Sequence, residues 1–292
     1  MSIHPLAAVS PAARLAADVT IGPFAVVEDD VEIGPGCKIA AHAVIKTGTR
    51  MGANNEVCEQ SVIGGHPQHL KKTDSLGLLR IGENNVFREF CTVHRALKPE
   101  NATQIGDNNL FMACAHIAHD CRIGNQIVVA NNVLFAGHVT VEDRAFISGA
   151  VGVHQFCRIG TLAMVGGHAR VIQDIPPYTL VDGQTGDVCG LNLVGLRRGG
   201  YTTDQIAQLK AAYRVIYRRG HKWTDMLETL RRDFATGPAA IYHVFLSQGT
   251  RGIAQERRMP PNATLKLRAD GEGPAIAAEA TVPAAEPRSK VG

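Results

Sequence analysis

Apolar residues recur at every sixth position from near the start of the chain to residue 171. Ile-Gly or a close variant stands at Ile21, Ile33, Met51, Ile63, Ile81, Ile105, Ile123 and Ile159, and every gap between them is a multiple of six. Of the 29 positions reached by stepping six at a time from Ile3 to Val171, only His69, Ser75 and Pro99 are not apolar. A helix would repeat at about 3.6 and an ordinary strand at about 2. A period of six with glycine after the apolar residue predicts a mainly-β fold, a left-handed parallel β-helix of hexapeptide repeats. Three hexapeptides make one triangular coil, the apolar residue of each points inward, and glycine and small residues suit the corners. About nine to ten coils fit into residues 1–190. The three failures lie in polar, proline-bearing stretches, Gly65–Ser75 and Ala96–Asn101, which read as loops ejected from the prism, where binding groups tend to sit.

The clock stops near Pro176-Pro177-Tyr178. After a bridging stretch to Gly200 the spacing turns helical. Thr202 and Gln205 form a capping box, followed by an apolar face of Ile206, Leu209, Tyr213, Ile216 and Tyr217. A second helix is expected near Thr224 and a third after Pro238. This gives a β-helix over 1–190, a small C-terminal helical domain over 191–252 and a disordered tail over 253–292, where aromatics are lacking and Ala, Pro and Glu abound.

Composition narrows the function classes. The 292 residues carry 30 Lys+Arg against 27 Asp+Glu, a net charge of +3 that is too balanced to point to nucleic acid. No apolar run approaches the ~20 residues of a transmembrane helix, and the start lacks the leading positive charge of a secretory signal. The chain reads as cytoplasmic. Its seven cysteines, odd in number and without a CxxC, read as small buried hydrophobes.

Coil arithmetic converts spacing into proximity. Residues 18 apart stack, so His138 lies over Asp120, Gly137 over His119 and Gln155 over Gly137, with His116 and His154 beside them. The cluster suits general-base chemistry: a histidine to take a proton, a carboxylate to orient it, and a glycine N–H to face an oxyanion. Polar solenoid corners also collect His and Asp by solvation alone, but four histidines and an aspartate in register argue for a site. A zinc site between subunits, as in γ-class carbonic anhydrase, would use a five-residue histidine spacing. His116 and His119 are three apart, and no metal is expected.

The ordered strings Ala115-His116-Ile117-Ala118-His119-Asp120-Cys121, Ala136-Gly137-His138-Val139 and Val153-His154-Gln155-Phe156-Cys157, with Val165-Gly166-Gly167 and Asp174-Ile175-Pro176-Pro177-Tyr178, resemble the acyl-carrier-protein–UDP-N-acetylglucosamine O-acyltransferase family over roughly residues 1–252. The resemblance implies the first step of lipid A biosynthesis, a homotrimer with sites between neighbouring β-helices, and no cofactor. It implies His119 as the base, Asp120 as its partner and Gly137 as the oxyanion donor. His116, His138, His154, Gln155, Gln68 and Lys71 would contact the substrate, and Asn192 and Arg198 the nucleotide. Gly167, with His168 beside it, would leave room for an acyl chain of more than ten carbons. The acyl donor would be a 3-hydroxyacyl chain on acyl carrier protein. A basic stripe of Lys210, Arg214 and Arg218 would suit that acidic partner, though it equally suits a solvated helix face.

Departures stand beside the matches. His69 replaces the family's aspartate after Gln68, Gly199 its second basic residue after Arg198, and Val194 an acidic residue two after Asn192. Transfer to the 3-amino analogue of the sugar nucleotide, giving an amide, is therefore an alternative. A non-catalytic scaffold is another. The related N-acyltransferase of the same pathway has an extra N-terminal domain, for which a clock starting at Ile3 leaves no room.

Overall fold

The computed structural model describes residues 2–70 and 75–257. Lys71 and residues 258–292 lie outside the described residues. The six-residue clock is realised as short strands stacked in three sheets, one per face of a triangular prism, parallel throughout except at the last strand of the first. The first face has 11 strands, from Ser2–Ile3 to Val188–Leu191, the second nine and the third eight. Beyond the open first coil, every apolar clock position from Ile21 to Val171 is buried in one continuous core. Phe87 and Phe111 stack there with ring centroids 4.9 Å apart.

Glycine plays a different part from the one expected. The left-handed corners are held mainly by non-glycine residues, among them Phe24, His42, Asp120, His138 and Arg144, with φ between 47° and 66° at all such residues. The glycines that follow the inward Ile or Met instead permit close stacking of coils. A Cβ on Gly52 would lie 2.6 Å from the Gly82 carbonyl oxygen, and one on Gly34 2.7 Å from the Gly52 backbone. Coil-to-coil contact, more than corner conformation, requires glycine there.

Both loops leave the clock in phase. Met51 pairs with Ile81 and Phe87 with Phe111, so the insertions lengthen one coil to 30 residues and the next to 24 without tilting the stack. Five of the seven cysteines are buried, but Cys114 and Cys189 are exposed, so the reading of all seven as core residues fails at these two corner and edge positions. Burial raises the Cys91 and Cys121 thiols to about 12.

The stretch expected to be a bridge contains a strand, Val188–Leu191, antiparallel to the last coil, and then a helix, α1 (Leu193–Arg198). The three expected helices follow as α2 (Thr203–Tyr217), α3 (Trp223–Asp233) and α4 (Ala240–Ser247), with the Thr202–Gln205 capping box formed. Leu196, Leu209, Met226, Leu230 and Tyr242 form a second core that closes on Leu162 and Tyr178 of the last coils. Arg158 fastens the join: it donates to the Phe245 carbonyl at 2.8 Å and lies 3.9 Å over that ring. Ile253 and Glu256, at the start of the expected tail, bridge to Asp174 and Val188 and so belong to the folded body.

Candidate active site

His119 ends the Ala-His-Ile-Ala-His run at the corner between the second and third faces, and Asp120 takes the left-handed position beside it. Both are buried, and His119 Nδ1 lies 2.8 Å from Asp120 Oδ2. Asp120 is itself held by the ejected Ala96–Asn101 loop. Its carboxylate accepts the Leu97 N–H at 3.0 Å and the Asn101 amide at 3.2 Å, while its own N–H donates to Thr103 Oγ1 at 2.8 Å. Burial pushes the Asp120 carboxyl up, but the bonds from Leu97 and His119 and the nearby His138 outweigh it, leaving the group below the ordinary aspartate range. An ionised Asp120 accepts a hydrogen bond from the Nδ1–H of His119, which leaves Nε2 as a basic lone pair.

Gly137 stands one coil above, as the spacing of 18 predicted. A Cβ there would lie 2.7 Å from His119 Cε1 and 2.8 Å from Nε2. Only glycine keeps the basic nitrogen uncovered. Among the described residues the Gly137 N–H makes no hydrogen bond within the chain, so it is a free donor beside that nitrogen.

These groups open onto a groove of about 810 Å³ along the outer side of the second face. Gln68, His116, His119, Gly137, His154 and Gln155 all line it, as expected. So does His69, marked in the sequence as a break in the clock, together with Leu134, Gly152 and Arg170, which spacing did not flag. The His69 ring meets His119 edge-on at 5.5 Å, so the departure from the family pattern sits against His119. His116 Nδ1 pairs with Thr92 Oγ1 at 2.7 Å, and burial lowers its basicity. His138 lies behind His119, edge-on to it at 5.2 Å, and stacks on Phe156 at 4.6 Å; burial lowers it, against the pull of Asp120. It lines a separate polar cavity with Asp120 and Arg122, outside the groove. His154 Nδ1 lies 3.2 Å from Arg251 of the segment after α4.

Besides Asp120 and His138, four expected site residues are not on this groove. Gly167 and His168 occupy the corner between the first and second faces, Asn192 precedes α1 and Arg198 is its last residue. Asn192 is buried and caps the helix, accepting from Gly195 N at 2.9 Å and donating to Leu162 O at 3.0 Å. The basic stripe on α2 is broken, because Arg218 pairs with Glu256 at 2.7 Å.

His119, Asp120 and His138 each offer an atom within 4.8 Å of the others, as do Cys58, Glu59 and Glu89, so either set could hold a cation. In the first set Nδ1 of His119 is already engaged by Asp120.

His94 is buried against His116, edge-on at 4.8 Å, with Nδ1 lacking a partner. Burial, then the neighbouring His116, lowers it to about 4. Since the unfolded chain titrates near ~6.5, the unfolded state binds the extra proton between these values. Stability is therefore whole above pH ~6.5 and falls toward pH 4, by on the order of 2 kcal/mol after allowance for residual screening. Urea unfolding across that range should show the slope in the wild type and a flatter profile in His94→Gln.

The hexapeptide transferase model, described as six repeats, matches residues 12–47 and 102–137. The model described as UDP-N-acetylglucosamine O-acyltransferase, domain 2, matches residues 174–254. The acyl-[acyl-carrier-protein]–UDP-N-acetylglucosamine O-acyltransferase of Verminephrobacter eiseniae is 43% identical over 260 residues, covering 87% of this chain and 99% of that protein. The chain belongs to this O-acyltransferase family. The family protein of Pseudomonas aeruginosa is 41% identical over 255 residues, with 87% and 99% covered. Among solved structures, the UDP-N-acetylglucosamine O-acyltransferase of Moraxella catarrhalis superposes with a TM-score of 0.84 at 36% identity over 87% of this chain and 100% of that one. The corresponding Acinetobacter baumannii structure gives 0.83 at 37% identity over 87% and 99%. As an O-acyltransferase of this family, the chain has the left-handed hexapeptide β-helix with a small helical domain that its clock predicted. Among the described residues no helix is long and apolar enough to cross a membrane.

Proposed function

We propose that this chain transfers a 3-hydroxyacyl group from acyl carrier protein to the 3-hydroxyl of UDP-N-acetylglucosamine, the first step of lipid A biosynthesis, in the cytoplasm. The observation that carries the reading is the open Nε2 of His119, oriented through Nδ1 by Asp120 and left uncovered by Gly137. Nε2 takes the proton of the 3-hydroxyl as its oxygen attacks the thioester carbonyl. The Gly137 N–H donates to the oxyanion that forms. Collapse expels the carrier's thiolate, which takes the proton back from His119. The ester forms, the thioester breaks, and no oxidant or cofactor enters. Gln68, Lys71, His116, His138, His154 and Gln155 would position the sugar and acyl groups, with His138 acting from behind the base.

The active assembly would be a homotrimer. In the later coils the outward residues of the first face, Val86, Leu110, Val128, Phe146, Met164 and Leu180, are apolar, following Thr20, Lys38 and Glu56 in the earlier ones, whereas the third face presents Arg14, Glu32, Arg50, Arg80 and Arg122. A half-buried apolar strip of this length, with Phe146 exposed, supports packing against the grooved second face of another copy, where Leu134 is also exposed. That packing would bring a neighbour's α1, with Asn192 and Arg198, to the groove, and would let Gly167 and His168 limit the acyl end.

The test offers purified chain UDP-N-acetylglucosamine and its 3-amino analogue, with carrier-bound 3-hydroxyacyl chains of graded length. An ester product, fastest beyond ten carbons, is expected. Product from the amino sugar alone would move the chemistry to amide formation, with His69 as the residue to revert. No product from a folded trimer would sink the catalytic reading.

A further inference from the structure

Arg144 occupies a left-handed corner between the third and first faces, with φ 62°. Its N–H is tied to the Asn125 carbonyl at 2.8 Å. Its guanidinium reaches across to α1, where a Cβ on Gly199 would fall on Nη2. Among the described residues it forms no ion pair or side-chain hydrogen bond. The neighbouring acids are engaged elsewhere: Glu142 accepts from Thr161 N and Oγ1 at 2.9 Å, and Asp143 accepts from Asn125 N at 2.8 Å.

The guanidinium instead lines a pocket of about 510 Å³ with Tyr178, Gly199, Gly200, Tyr201 and Gln205. A half-buried cation with no carboxylate is costly as packing alone, and an aromatic or aliphatic side chain would fill the space beneath Gly199 more cheaply. Gly199 is also where the resemblance expects a second basic residue after Arg198. The missing side chain is what gives Arg144 its room, so the positive charge is resupplied from a different element.

Resting on the function proposed above, we infer that Arg144 is a substrate-binding residue that grips the diphosphate of the UDP-sugar beside the Arg197–Arg198 end of α1. A planar guanidinium presents paired donors matched to phosphate oxygens, and the adjoining glycines let an anion approach the backbone.

The test measures UDP and UMP binding to the full trimeric chain by calorimetry, with steady-state kinetics on the same samples. Arg144→Asn removes the charge while keeping a residue that tolerates the left-handed corner. It should weaken UDP about tenfold and raise KM for the UDP-sugar similarly. UMP affinity, kcat and KM for the acyl carrier protein should stay within about twofold, and Arg144→Lys should recover part of the loss. Should Arg144→Asn fail to fold, Arg144→Gln carries the same test. Unchanged UDP affinity in an active variant would overturn the assignment and leave the function standing. Equal losses for UDP and UMP with a lowered melting temperature would make Arg144 structural. A wild type that neither binds UDP nor acylates the UDP-sugar would remove the function and this assignment together.

Discussion

Gly137→Ala is expected to fold and to lose at least about a hundredfold in kcat. The backbone at Gly137 is not in the left-handed region, so alanine meets no conformational penalty there. The loss comes from space. The new methyl would lie 2.7–2.8 Å from His119 Cε1 and Nε2, and a coil locked to its neighbours at every strand cannot move aside. The ring must turn, which breaks its bond to Asp120, or Nε2 is covered. Stability should fall by about 1–3 kcal/mol, the usual cost of overpacking. Gly149→Ala is the matched control, because its Cβ meets only the Asn131 carbonyl oxygen at 3.4 Å. Thermal melts and turnover of the two variants check both parts. An active Gly137→Ala would separate this glycine from the chemistry.

His119→Ala should lower kcat by about a thousandfold while changing the melting temperature little. The fold does not depend on the imidazole, because Asp120 keeps its bonds to Leu97, Asn101 and Thr103 when the ring is removed. The KM values for both substrates should shift only a few-fold, since a base acts in the transition state rather than in binding. Loss of kcat with loss of folding would instead make His119 a core residue with a polar edge.

Much of this was legible without coordinates because the solenoid is periodic. A spacing of 18 becomes vertical contact whatever the intervening residues are, which is why Gly137 could be set over His119 and His138 beside Asp120. The periodicity is silent about what leaves it. The Leu97 and Asn101 bonds to Asp120 come from an ejected loop, marked in the sequence only by the apolar position lost at Pro99. Likewise, α1 escaped notice because six residues are too few to show a helical period, although Asn192 is a capping type three residues before Gly195. The Arg144–Gly199 pairing joins positions 55 residues apart in unlike elements, and no repeat could announce it.

Single-turnover acyl transfer tests the central claim most directly, with wild type and His119→Ala each saturated with UDP-N-acetylglucosamine and given one equivalent of 3-hydroxyacyl carrier protein. Equal sugar-nucleotide affinity and a single-turnover rate about a thousandfold slower in the variant is the predicted result. An undiminished rate in the variant would contradict His119 as the base.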